Sequence, residues 1–134
     1  MAKNVAEQLV DTLEKAGVKR IYAVTGDSLN EVNEAVRKSG KIKWIHVRHE
    51  ETGAFAAAAE AQLNGELACC AGSSGPGHVH LINGLYDAQR SGAPVLAIAS
   101  TLPTHEFGTE YFQETNTIKL FEDCSYYNQV ATTP

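Results

Sequence analysis

Leu67-Ala68-Cys69-Cys70-Ala71-Gly72-Ser73-Ser74-Gly75-Pro76-Gly77 is the stretch on which the reading of this 134-residue chain turns. Five apolar residues without a polar interruption describe a short strand buried on both faces, as in a parallel sheet. A glycine-rich turn follows, and Pro76 suits the first turn of a helix running to about residue 90. The pattern is therefore strand, tight turn, helix.

Outward from this point the same alternation repeats. Toward the N-terminus, Val5, Ala6, Leu9, Val10 and Leu13 form a helical stripe over 5–16. Asn4 with Glu7 has the spacing of a capping box, and Gly17 can end the helix. Residues 20–24 read as a strand. Ser28 with Glu31 repeats the capping signature before a helix faced by Leu29, Val32 and Val36, and residues 43–47 form a second strand. An Ala-rich helix over 50–63 follows, stopped by Gly65. Its small side chains predict a neighbour packed at close range. Beyond the turn, residues 94–99 read as a fourth strand, 101–115 as a long loop, 117–121 as a short helix and 126–130 as a last strand.

Apolar strands separated by helices predict an α/β fold: a doubly wound parallel sheet with helices on both faces, flavodoxin-like in outline. Ligands in such sheets bind outside the carboxyl ends of the strands. The loops at 25–28, 48–51 and 72–77 fall there, and the long loop after the fourth strand begins there.

Composition narrows the class. The net charge of −5 and eleven scattered basic residues give no nucleic-acid surface. No apolar run approaches the roughly 20 residues that span a bilayer, and no secretory leader is evident. Three cysteines without metal-site spacing fit a reducing cytoplasm. His78 and His80 are too close in sequence to share a helix face as a zinc pair, and no metal ligands are predicted. Each histidine is expected to lie in solvent or to support other groups.

Glu50 follows a strand and opens a helix. One reading is an acid that complements the helix dipole; another is a ligand-edge carboxylate whose proton affinity is raised by apolar surroundings. The glycine run permits either a tight connection or close approach of a planar or anionic ligand. It matches neither the dinucleotide nor the P-loop spacing.

Taken in order, Val47-Arg48-His49-Glu50-Glu51, the Ala-rich helix and Ala71-Gly72-Ser73-Ser74-Gly75-Pro76-Gly77 resemble the N-terminal pyrimidine-binding domain of thiamine-diphosphate enzymes. His80-Leu81-Ile82-Asn83-Gly84-Leu85-Tyr86-Asp87-Ala88, Phe112-Gln113-Glu114 and Val24-Thr25-Gly26-Asp27-Ser28-Leu29-Asn30 are similar to the pyruvate oxidase and quinone-linked pyruvate dehydrogenase branch. His78 departs from the Asn, Gly or Ala common at its position.

The resemblance implies that Glu50 is catalytic, hydrogen-bonding the aminopyrimidine N1′ of thiamine diphosphate. It implies that Gly26, Asp27, Ser74, Gly75, Pro76 and Gly77 join Glu50 in binding the cofactor's pyrimidine end. His80, Phe112 and Gln113 would line the substrate side, facing pyruvate. Mg²⁺ and FAD would be held only by domains that this chain lacks, since it contains no Gly-Asp-Gly. Electrons would pass to FAD and then to a quinone or oxygen.

The same resemblance implies a homo-oligomer in the cytoplasm, with the complete enzyme peripheral at the inner face of the membrane. Against the family pattern, residues 1–134 form one domain lacking its last helix and strand. The chain alone is then half a site and catalytically silent, and its tail is expected to fill the vacated slot or to promote self-association. The alternatives are a domain of an acetolactate synthase-like carboligase, a non-catalytic dimerisation or regulatory module, and a plain flavodoxin-like nucleotide binder.

Overall fold

The structure, a computed structural model, describes residues 3–134. Its elements run α1 (Val5–Lys15), β1 (Arg20–Ala23), α2 (Asn30–Ser39), β2 (Lys43–His46), α3 (Glu50–Asn64), β3 (Ala68–Gly72), α4 (Pro76–Val79), α5 (Ile82–Arg90), β4 (Val95–Ala99) and α6 (Thr117–Phe121). The four strands pair in the order β2-β1-β3-β4, every pair parallel. The expected fold class is the one observed.

Side-chain alternation explains the two layers. Ile21 and Ala23 of β1, Cys69 and Ala71 of β3, and Leu96 and Ile98 of β4 pack with Val10, Leu13, Ala35 and Val36 of α1 and α2. The intervening Tyr22, Ala68, Cys70, Val95 and Ala97 meet Ala54, Ala57 and Ala61 of α3 and Leu85 of α5 on the opposite face. Because successive strand residues point to opposite faces, Cys69 and Cys70 are neighbours in sequence but belong to different cores. All three cysteines are free.

The small residues of α3 have the purpose their composition suggested. A Cβ placed on Gly84 of α5 would stand 2.5 Å from Ala54 Cβ and 2.7 Å from the Ala54 carbonyl carbon. The two helices touch backbone to backbone, a separation that only glycine and alanine permit. At the other end of the chain the capping box is present: Asn4 Oδ1 accepts from the Glu7 amide at 2.8 Å, and Glu7 Oε2 accepts from the Asn4 amide at 3.2 Å.

Three expectations are corrected. Ser28 does not cap α2. It lies in a 3-10 turn (Asp27–Leu29), and its hydroxyl is engaged elsewhere. The helix expected from Pro76 to residue 90 is two, α4 and α5, with the Leu81 amide turned to His78 O at 3.1 Å in place of a regular four-residue bond.

The last strand is absent. Residues 126–130 form no ladder, Tyr126 and Tyr127 are exposed, and Asn128 Nδ2 bonds the carbonyls of Thr117 and Ile118, each at 3.1 Å. An isolated apolar run needs a partner strand to become a strand. Here the tail is held by a side-chain amide to α6, so β4 keeps an open edge and the tail does not fill the slot beside it.

Candidate functional site

In the order β2-β1-β3-β4 the chain reverses its winding direction between β1 and β3, and the crevice at their carboxyl ends is where such sheets bind ligands. The residues there are stitched together across the switch. Ser28 Oγ, after β1, lies 2.9 Å from Ser73 Oγ, after β3, and accepts from the Ser74 amide at 2.9 Å. Ser100, after β4, donates its hydroxyl to the Ser28 carbonyl.

Two glycines are required by this stitching. A Cβ on Gly26 would collide with Ser73 Oγ at 2.3 Å. Gly75 takes φ +64 and ψ −118, a conformation that side chains resist, and a Cβ there would fall 2.7 Å from Gln113 Cβ. The floor of the crevice is accordingly bare backbone.

Glu50 stands at the N-terminus of α3, where the crossover returns the chain toward β3. Its side chain is only 12% exposed, and Oε2 lies 3.1 Å from His80 Nδ1. The other oxygen, Oε1, faces Gly77, at 3.4 Å from where a Cβ would be. His49 caps the same helix by accepting from the Glu51 amide at 3.3 Å, and its ring stacks on His80 with centroids 4.3 Å apart. The break between α4 and α5 puts His80 in reach of Glu50.

The structure thus brings together Gly26, Glu50, Ser74, Gly75, Gly77 and His80. Gln113 joins them: Ser74 Oγ donates to its Oε1 at 3.3 Å, and its own φ of +65 is unusual for a residue with a side chain. Phe112 is in the same loop but 75% exposed. Asp27 and Pro76 are exposed, and the Asp27 carboxylate lies outside the serine network.

Ser28, Ser73, Ser100, Thr115 and His78 were missed by sequence reasoning. Ser28 was hidden behind a capping pattern it does not use. His78 is buried at 1% exposure, so of the two roles expected of each histidine, in solvent or in support of other groups, it takes the second. Its only sequence signal was the departure from the family's usual residue at that position.

His49, Glu50 and His80 present potential ligand atoms within 4.8 Å of one another. In this arrangement both Nδ1 atoms are engaged in hydrogen bonds, that of His49 with the Glu51 amide and that of His80 with Glu50 Oε2. Two imidazoles and one carboxylate do not suit Mg²⁺, which demands a shell of oxygens. Among the described residues, no helix is long and apolar enough to cross a membrane.

These features define a parallel α/β domain whose switch-point crevice offers a half-buried carboxyl beside an imidazole. The chain belongs to the thiamine pyrophosphate enzyme family: residues 3–120 match the domain described as "Thiamine pyrophosphate enzyme, N-terminal TPP binding domain". It is 58% identical over 130 residues to the "Uncharacterized 42.6 kDa protein in isoamylase 3'region" of Pseudomonas amyloderamosa, covering 97% of this chain and 33% of that protein. It is 42% identical to the pyruvate oxidase of Lactiplantibacillus plantarum over 124 residues, 92% of this chain and 21% of the relative. The chloroplastic acetolactate synthase 3 of Brassica napus is 35% identical over 123 residues, 92% of this chain and 19% of the relative. The chain therefore spans about a third of the length of the first of these and about a fifth of the other two.

Proposed function

We propose that this chain is the pyrimidine-binding half of a thiamine-diphosphate site in a pyruvate oxidoreductase, one that converts pyruvate to acetate and CO2 and passes electrons through FAD to a quinone. The observation that carries the reading is the Glu50 carboxyl, 12% exposed, with Oε2 engaged by His80 and Oε1 open toward Gly77. A carboxyl in that state suits a heteroaromatic nitrogen that must share a proton. The bare backbone of Gly26, Gly75 and Gly77 suits a flat ring. The crevice suits the aminopyrimidine end, and nothing in its donor set suits Mg²⁺.

When bound, thiamine diphosphate supplies a nucleophilic carbon and an electron sink for loss of CO2 from a 2-keto acid. The chain's own task is orientation and proton placement. Glu50 Oε1 holds the proton shared with the pyrimidine N1′, the role of a positioned general acid–base group. With its hydrogen on Nδ1, His80 donates to Oε2, fixing the carboxyl so that Oε1 is the oxygen presented. Gln113, anchored by Ser74, offers an amide toward the substrate side, and Phe112 covers that side from the loop.

The pyruvate oxidase reading draws on the 42% identity to the Lactiplantibacillus enzyme and on His80, Phe112 and Gln113. A carboligase of the acetolactate synthase kind would share the same proton placement at Glu50, and the 35% identity keeps it in view. The test is Glu50→Gln in the complete protein that contains this domain. Pyruvate-dependent reduction of a quinone-like dye is expected to fall by roughly 10²–10⁴-fold. Retention of wild-type turnover would overturn the role of Glu50. Acetolactate formation without dye reduction in the parent protein would overturn the oxidase assignment alone.

A further inference from the structure

His78 alone among the five histidines is buried, and both of its ring nitrogens are engaged. Nδ1 lies 2.8 Å from the carbonyl oxygen of Ser100, and Nε2 lies 2.5 Å from Thr115 Oγ1. A carbonyl can only accept, so Nδ1 carries the hydrogen. Nε2 of the neutral ring is then a lone pair, and the Thr115 hydroxyl donates to it. Burial disfavours the imidazolium and supports the same neutral tautomer. The ring edge also meets Phe121 of α6, with centroids 5.8 Å apart.

The two partners stand at the two ends of one segment. Ser100 follows β4 directly, and Thr115 precedes Asn116, whose side chain caps α6. Between them lies the loop that carries Phe112 and Gln113. Much of that loop's own bonding is internal: the Glu114 carboxylate accepts from the amides of Gly108 and Glu110, and the Glu114 amide donates to Tyr111 O at 2.9 Å. Those bonds hold the loop's shape. Its place on the domain is set by Ser74 at Gln113, by Ser28 and Gly72 at Ser100, and by His78 of α4, which alone grips both ends.

We infer that His78 is a positioning residue, latching the segment between Ser100 and Thr115 onto α4 and so setting how Phe112 and Gln113 stand over the Gly75 turn. The latch itself stands on the geometry above, while its bearing on turnover rests on the proposed role of Glu50. His78 is followed two residues later by His80, so the same short helix that fixes the loop also carries the imidazole beside Glu50. One element thereby sets the spacing between the carboxyl side and the loop side of the crevice.

Hydrogen exchange on the 134-residue chain tests the latch. His78→Phe is the direct variant, but it removes two bonds from a buried site and puts the fold at risk. Thr115→Val removes only the hydroxyl, and Thr115→Ser keeps it. In Thr115→Val the amides of Gly108, Glu110 and Glu114 are expected to exchange on the order of three- to tenfold faster, the scale of one lost hydrogen bond. Amides of α1 and β1 should be unchanged, and Thr115→Ser should behave as the parent chain. Unchanged loop exchange in Thr115→Val, equal acceleration in α1 and β1, or failure of Thr115→Ser to restore protection would each overturn the inference. None of these readouts depends on activity, so a failed latch and a failed assignment of Glu50 are told apart.

Discussion

His80 Nδ1 and Glu50 Oε2 are 3.1 Å apart, joining the break between α4 and α5 to the first residue of α3. The contact divides the carboxyl into one held oxygen and one presented oxygen. His80→Ala in the complete protein should leave Glu50 free to rotate and lower kcat by roughly tenfold, the scale of one lost hydrogen bond. His80→Gln, which can still donate, should recover part of the loss. Steady-state turnover of the three proteins checks this, and a kcat unaltered in His80→Ala would remove His80 from the mechanism.

Burial pushes the His78 imidazole below its ordinary value of 6.5, opposed in part by its bond to the Ser100 carbonyl. The unfolded chain therefore binds more protons than the folded one between the folded value and 6.5, and stability rises with pH across that window. The contribution is complete above about pH 6.5 and is lost as the pH falls through the folded value. Thermal unfolding midpoints measured from about pH 7 to pH 5 should decline, and the decline should be shallower in His78→Phe. An equal slope in both chains would show that another group titrates.

Cys69 and Cys70 are fully buried, and burial pushes the Cys70 thiol up to about 12 and the Cys69 thiol well above its usual value. Thiolate, the reactive form, is then scarce at neutral pH, and access is closed as well. Iodoacetamide at about pH 8 should label neither residue in the folded chain and both after denaturation. Rapid labelling of either under native conditions, read by peptide mass spectrometry, would contradict the burial.

Gly84→Ala should destabilise the chain by about 1–3 kcal/mol, the cost of forcing a methyl group into a filled contact. The added Cβ meets not only Ala54 Cβ at 2.5 Å but also the Phe55 amide nitrogen at 2.7 Å. Ala54→Gly therefore should not rescue it, because the obstruction is partly backbone. Chemical denaturation of the single and double variants decides the point.

The chain alone supplies the carboxyl side of the proposed site, and among the described residues the one cluster of potential metal ligands, His49, Glu50 and His80, is not oxygen-rich. Incubated with pyruvate, thiamine diphosphate and Mg²⁺, the 134-residue chain should release no CO2 above background. Measurable decarboxylation by the purified chain would show that the diphosphate end is bound by residues not recognised in this crevice.

Much of the architecture could be read directly from the residues. Strictly local patterns carried it: the stripe from Val5 to Leu13, the Asn4 and Glu7 capping box, the apolar run before Gly72 and the small residues of α3. Each is decided within a few residues of chain by dihedral preference and side-chain period, and each reappears in the structure. Glu50 at a helix start was legible in the same way.

What local pattern could not decide was competition between partners distant in sequence. Ser28 has the spacing of a cap for α2, yet its hydroxyl binds Ser73 and the Ser74 amide, 45 and 46 residues away, because the sheet order sets β1 beside β3. Residues 126–130 have strand character, yet no strand lies alongside to supply the ladder. His78 resembles a solvent-facing histidine until β4 and α6 deliver Ser100 and Thr115 to its two nitrogens. Sequence alone determined the four strands that form, the long helices α1, α2 and α3, and that Glu50 would open a helix at the ligand edge. Only the tertiary structure decided which polar groups meet there, since hydrogen-bond pairing depends on where the sheet places residues that the chain keeps far apart.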